Sequence, residues 1–187
     1  DAGGTVEAVM ADAGSESDVK AFIDKAVAKY GRLDTIWANA GVSGGLVPLL
    51  EQTVEQWQEV LRINLIGPFL AVKHSMPHMI KQKSGRIINV SGLGARHTGT
   101  TVGSIRNVGV AALTKNMADE LAPHGIQAIC VHPGLIRTEA TPGVIAAQAK
   151  GDFMLELTGT GAKPLGMVEV ALGDLAWTEE TGGELSA

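Results

Sequence analysis

Gly85-Arg86-Ile87-Ile88-Asn89-Val90-Ser91-Gly92 is the stretch on which the fold turns. Its Ile-Ile-Asn-Val run, bounded by glycines, reads as a buried parallel strand. The segment that follows, Val102 to Leu121, carries Ile105, Gly109, Ala112, Leu113, Asn116 and Leu121 near helical spacing, with small residues where a second helix can approach. In an open α/β sheet, ligands sit at the carboxyl ends of the strands. Ser91-Gly92 and the first turn of the following helix are therefore expected to flank an active-site cleft.

The rest of the chain repeats this strand-then-helix alternation. Val6 to Met10 reads as a strand ending at Ala11-Asp12. Ser15 or Ser17 caps a helix whose inner face is Val19, Phe22, Ile23, Ala26 and Val27, and Gly31 stops it. Leu33 to Ala38 is the next strand, running into Asn39-Ala40-Gly41 and a glycine-rich loop. Thr53 and Gln56 form a capping box for a long helix with Trp57, Val60, Leu61 and Leu65 inside, kinked at Gly67-Pro68 and ending near Ile80. Gly125 to Val131 is a strand that ends at His132-Pro133-Gly134. From Leu135 to Pro164 the pattern weakens, as in a lid. Val168 to Trp177 reads as a helix and Glu184-Leu185-Ser186 as a last short strand. The alternation predicts α/β architecture with a parallel sheet, residues 1–187 forming one domain.

Composition narrows the function classes. The 187 residues are 45% hydrophobic and 19% charged, with a net charge of −5, which argues for a globular domain without a nucleic-acid-binding stripe. No apolar run approaches the ~20 residues of a membrane span, and the amino terminus does not read as a signal peptide, so a cytoplasmic location is expected. The single cysteine, Cys130, lies in Ile129-Cys130-Val131 and reads as a buried thiol. His74 and His78 are spaced i, i+4 without an evident third ligand, so no metal site is expected.

Taken in order, several motifs resemble the short-chain dehydrogenase/reductase family. They are Asp12; Gly31-Arg32-Leu33-Asp34 before Ala38-Asn39-Ala40-Gly41; Asn64-Leu65-Ile66-Gly67; Gly85 to Ser91; Pro133-Gly134-Leu135-Ile136-Arg137-Thr138; and Thr181-Gly182-Gly183-Glu184-Leu185. The resemblance implies a Rossmann-like, doubly wound parallel sheet in a three-layer αβα arrangement. It also implies NAD or NADP as cofactor, an alcohol or ketone substrate, and a homodimer or homotetramer. By the same resemblance Asp12 contacts the adenine, Asn39, Ala40 and Gly41 lie beside the cofactor, and Thr138 with Pro133, Gly134 and Ile136 holds the nicotinamide carboxamide. Asn64 and Ser91 are the surviving candidates for catalytic positions. Each also has a plainer reading, Asp12, Asn39 and Gly41 as turn residues and Thr138 as a helix cap.

Two departures stand out. The family's first strand, glycine-rich turn and helix, which receive the cofactor pyrophosphate, have no counterpart before Val6; the sequence is therefore expected to be part of a longer protein. The family's Tyr and Lys at i, i+4 fall on Gly103 and Asn107, and its second serine on Gly92. His97, Ser104 and Arg106 lie nearby in sequence as substitutes, of which only His97 titrates near neutrality. The leading expectation is an NAD(P)-dependent oxidoreductase. The competing one is a catalytically inactive, cofactor-binding or scaffolding subunit.

Overall fold

In the computed structural model the described residues are 3–44, 47–96, 100–133 and the strands 152–158, 164–171, 177–179 and 183–185. Helix α1 (Glu16–Tyr30) starts where the Ser15 hydroxyl accepts the Asp18 N–H, and ends at Gly31, whose φ of 76° suits a residue without Cβ. Strand β1 (Thr35–Ala38) follows. The Thr53–Gln56 capping box opens α2 (Val54–Leu61) as expected. A π turn, Arg62–Ile66, then leads into α3 (Gly67–Gln82). The long helix is thus interrupted, but by the wider π turn rather than by Gly67-Pro68. Pro68 sits in the first turn of α3, where a missing N–H costs little. Strand β2 (Gly85–Val90), helix α4 (Thr101–Leu121) and strand β3 (Ile126–His132) complete the repeating part.

Strands β1, β2 and β3 pair in parallel, with Ile36, Ile87 and Ala128 in one row. That row faces α1, α3 and α4. Its core joins Val19 and Ile23 of α1, Leu70, Val72 and Met79 of α3, and Met117, Ala118 and Leu121 of α4. Right-handed crossovers between parallel strands place α3 and α4 on the same face. Parallel strands under packed helices make the parallel α/β sheet that the alternation predicted, and it is Rossmann-like, as the family resemblance implied. Cys130 on β3 is buried, as its apolar neighbours implied.

Beyond β3 the sheet continues antiparallel through β4 (Asp152–Thr158), β5 (Pro164–Ala171), β6 (Trp177–Glu179) and β7 (Gly183–Leu185). The helix expected over Val168 to Trp177 is not found; β5 and β6 occupy its described parts. Val168-Glu169-Val170 alternates with the period of a strand, and valine favours that state. β4 supplies the ladder partner, Leu155 opposite Val168 and Phe153 opposite Val170. The last strand is found at Gly183–Leu185, close to where it was expected.

Val6 to Met10 does not form the expected strand. It runs extended, with Val6 and Met10 almost wholly exposed. A strand needs a ladder, and the open edge of β1 does not reach it. An apolar cleft of about 440 Å³ separates them, lined by Val9, Ala11 and Ala13 on one side and Ile36 to Ala40 on the other. The segment is held instead by Glu7, which pairs with Lys25 and Lys29 of α1.

Candidate active site

The carboxyl ends of β1, β2 and β3 converge on Asn39-Ala40-Gly41, Ser91-Gly92 and His132-Pro133. Asn64 enters this region from the π turn, a local widening that often marks functional positions. It is 4% exposed. Its Oδ1 accepts the Val42 N–H at 2.8 Å, and its Nδ2 donates to the Val42 carbonyl at 2.8 Å. The side chain therefore clasps the loop after β1. Gly41 makes this clasp possible, because a Cβ there would stand 2.4 Å from Asn64 Oδ1.

Asp12 lies at the opposite rim of the apolar cleft. Its carboxylate accepts the Gly14 N–H at 2.8 Å and pairs with Arg62 at 2.8 Å. The Gly14 N–H foremost, then the Arg62 guanidinium, hold its pKa below the ordinary aspartate value. Asn39 and Ala40 are exposed beside the same cleft. The cleft is walled mainly by apolar side chains, and its lining includes Asn39 and Ala40 together with Ala11 and Ala13, the neighbours of Asp12. Mostly apolar walls with a few polar groups suit a small organic ligand, and the adenosine part of a dinucleotide is such a group. Of the remaining cofactor candidates, Pro133 follows β3, while Gly134, Ile136 and Thr138 lie outside the described residues.

Ser91 is 8% exposed, and its hydroxyl donates to the Asn107 carbonyl at 2.9 Å. It ties β2 to α4. Asn107 itself is 6% exposed. Its amide nitrogen lies 3.1 Å from the position a Gly92 Cβ would take and 2.8 Å from that of Gly94. The amide thus fills the room that side chains at 92 and 94 would need, and its Oδ1 has no hydrogen-bond partner. At Gly103 a Cβ would meet the Thr100 hydroxyl at 2.4 Å.

Among the substitutes, Ser104 lies in the first turn of α4, its N–H bonded to the Thr100 carbonyl. Arg106 is half-buried; burial pushes its pKa down, and its Nε has no partner. His97 lies outside the described residues. His74 is 3.1 Å from Glu16, and no group of three metal-ligating side chains occurs among the described residues. No helix among them is long and apolar enough to cross a membrane. Sequence reasoning missed Arg62 altogether. Its partner Asp12 is 50 residues away, and no local spacing signals that pair.

Comparison with known proteins bears on the family and the fold. The profile of the short chain dehydrogenase family matches residues 1–149, and the chain belongs to that family. It is 37% identical over 156 residues to short chain aldehyde dehydrogenase 1 of Euphorbia lathyris, covering 76% of this chain and 54% of that protein. Among solved structures it resembles ElxO with NADP bound, at 31% identity and a TM-score of 0.68, over 73% of this chain and 56% of that one. It also resembles an NAD+-bound xylitol dehydrogenase, at 26% identity and a TM-score of 0.68, over 76% of this chain and 55% of that one. The chain spans little more than half the length of these relatives.

Proposed function

We propose that this chain is the substrate- and cofactor-contacting part of an NAD- or NADP-dependent oxidoreductase that interconverts an alcohol and a carbonyl compound. The observation that carries this reading is the Asn64 clasp on Val42, at the carboxyl ends of the parallel strands; Ile63, the neighbour of Asn64, lines the cleft together with Ala11, Ala13, Asn39 and Ala40. In the family to which the chain belongs, solved relatives hold NADP or NAD+.

The bound dinucleotide supplies the hydride acceptor or donor. The chain's own residues do the rest. Asp12, kept ionised by its partners, accepts a hydrogen bond from the exocyclic amine of the adenine. Asn39, Ala40 and Gly41 form the wall along which the dinucleotide lies, and Pro133 with Gly134, Ile136 and Thr138 orients the nicotinamide end. Asn64 fixes the loop after β1 through its two backbone bonds. Ser91 holds the first half of α4 against β2 and is a positioning residue. Neither Gly103 nor Asn107 can carry the proton that balances the hydride, since neither side chain ionises. Of the substitutes His97, Ser104 and Arg106, histidine is the residue type suited to proton transfer near neutrality, and His97 takes that role in this reading.

The same reading covers assembly. Ile66 and Phe69 on the π turn and α3, and Ile105 and Val108 on α4, are each close to half exposed. With exposed Ala112, the α4 positions follow i, i+3, i+7 and make an apolar stripe for pairing two copies. Gly109 serves the chain's own packing instead, because Leu65 lies over it.

The test is titration with reduced and oxidised NAD and NADP, followed by absorbance assays of hydride transfer against a panel of alcohols and ketones, for the wild type and His97→Ala. Nucleotide binding with turnover that depends on His97 is the expected result. Binding without turnover on any substrate would overturn the catalytic part, and absence of nucleotide binding would overturn the whole reading.

A further inference from the structure

The π turn carries two side chains that point to different loops of the site. Asn64 clasps Val42, as described. Arg62, two residues earlier, spans the other way. Its Nη1 meets Asp12 Oδ2 at 2.8 Å, while its Nε and Nη2 fork onto the Glu59 carboxylate at 2.8 and 3.0 Å. The guanidinium lies over Gly14, where a Cβ would stand 2.2 Å from Nη1. The Asp12 turn is thereby bonded to Arg62 on one side and to Asp18, through the Asp12 N–H at 3.0 Å, on the other. Just beyond the π turn, Gly67 packs against the Ala13 carbonyl closely enough that a Cβ would come within 2.9 Å of it. The turn at Asp12 and the turn bearing Asn64 thus touch at two places.

We propose that Arg62 is a positioning residue that couples the two ends of the site: it orients the Asp12 carboxylate for an adenine amine and, through the π turn, sets the Asn64 clasp on Val42. This rests on the reading above that the cleft takes an adenine dinucleotide. A planar fork is needed for the task, because one cation must satisfy Glu59 in a bidentate manner and still reach Asp12. A lysine ammonium is a compact point charge without that planar fork, so it cannot hold Glu59 in a bidentate manner with the same reach to Asp12. Gly14 belongs to the same device, since any side chain there displaces the guanidinium.

The test compares wild type, Arg62→Lys, Arg62→Ala and Gly14→Ala. Calorimetry measures binding of AMP, which presents only the adenine end, and of nicotinamide mononucleotide, which presents only the other. NMR follows hydrogen exchange of the Asn64 side-chain amide and the Val42 N–H. Arg62→Ala and Gly14→Ala are expected to weaken AMP about two- to fivefold, the scale of a solvent-exposed ion pair. Nicotinamide mononucleotide binding stays level, exchange at Asn64 and Val42 speeds up, and Arg62→Lys restores AMP binding in part. Equal weakening of both ligands would mean a merely structural role and would overturn the proposal, as would unaltered AMP binding. If the wild type binds no adenine nucleotide, the cofactor reading fails, and with it Arg62's role toward adenine. The exchange data still decide the coupling, which is overturned if Asn64 and Val42 exchange alike in wild type and Arg62→Ala.

Discussion

Removing the Asn64 side chain and adding a methyl group at Gly41 act on the same few ångströms, and their combination makes a sharp test of the clasp. Asn64→Ala deletes two hydrogen bonds of 2.8 Å to Val42. Each is worth roughly 1 kcal/mol net. Val42 is 37% exposed, so water can take up its freed groups, and a loss of about 1–2 kcal/mol is expected. Gly41→Ala in the wild-type background places a Cβ 2.4 Å from Asn64 Oδ1. The buried amide must move, and overpacking of this kind costs about 1–3 kcal/mol. In the Asn64→Ala background the obstacle is gone. Gly41 does not occupy the left-handed region, so alanine fits its backbone. There the Gly41→Ala substitution should stabilise by about 0.4–1 kcal/mol, through the narrower unfolded ensemble. The sign of one substitution therefore reverses with the residue at 64. Urea unfolding of the four proteins measures this, with a coupling of about 2 kcal/mol expected, inside the range for touching residues. If the two changes add to within about 0.5 kcal/mol, Asn64 does not hold the loop as described.

Three other outcomes follow from the same contacts. Lys25 and then Lys29 lower the Glu7 pKa from 4.5 to about 2; a depressed acid contributes stability that is full above 4.5 and lost as pH falls toward about 2, so amide exchange over residues 5–11 should quicken across that window and become insensitive to it in Glu7→Gln. Thr114→Val removes the acceptor of buried Asn89 Nδ2, 2.9 Å away, and should cost about 1–3 kcal/mol, whereas the Asn89→Leu/Thr114→Val pair, which leaves no orphan, should lie closer to wild type by thermal unfolding. Gly92→Ser alone forces the Asn107 amide aside and should lower the unfolding midpoint in urea, while in an Asn107→Ala background the same substitution should cost much less; equal costs in both would refute the packing of Asn107 under Gly92.

The parts of the fold legible in sequence are those where one local rule decides. Ser15, Gly31 and the Thr53–Gln56 box set helix ends through bonds made within four residues. The Ile87–Val90 and Ile126–His132 strands carry enough β-branched residues to declare themselves. Legibility ends where tertiary partners decide. Val6 to Met10 has a strand's composition, but among the described residues no ladder forms beside it. Val168 to Trp177 has apolar residues that suit a helix, but β4 draws Val168 to Ala171 into a sheet and Trp177 pairs with Val170 on the next strand. At the candidate site the family pattern singles out Asp12, Asn39, Gly41 and Asn64 as positions and carries nothing about their connections. The bonds of Arg62 to Asp12 and of Asn64 to Val42 span 50 and 22 residues, distances over which sequence spacing carries no geometric information.

The place where the family pattern fails is the place where packing is most interdependent. Gly92 and Gly94 leave room, and the Asn107 amide takes it. Ser91 then bonds the backbone of that same residue and pins this turn of α4 to β2. Gly103, one turn earlier, has the Thr100 hydroxyl where its side chain would begin. A tyrosine at 103 requires Thr100 to rotate, a longer side chain at 107 presses on the 92–94 turn, and a serine at 92 requires the Asn107 amide to shift. Positions 92, 94 and 107 therefore form one self-consistent packing arrangement, while Gly103 is set against Thr100. In the proposed reading the proton carrier is therefore none of these four positions, which are three glycines and an amide that does not ionise.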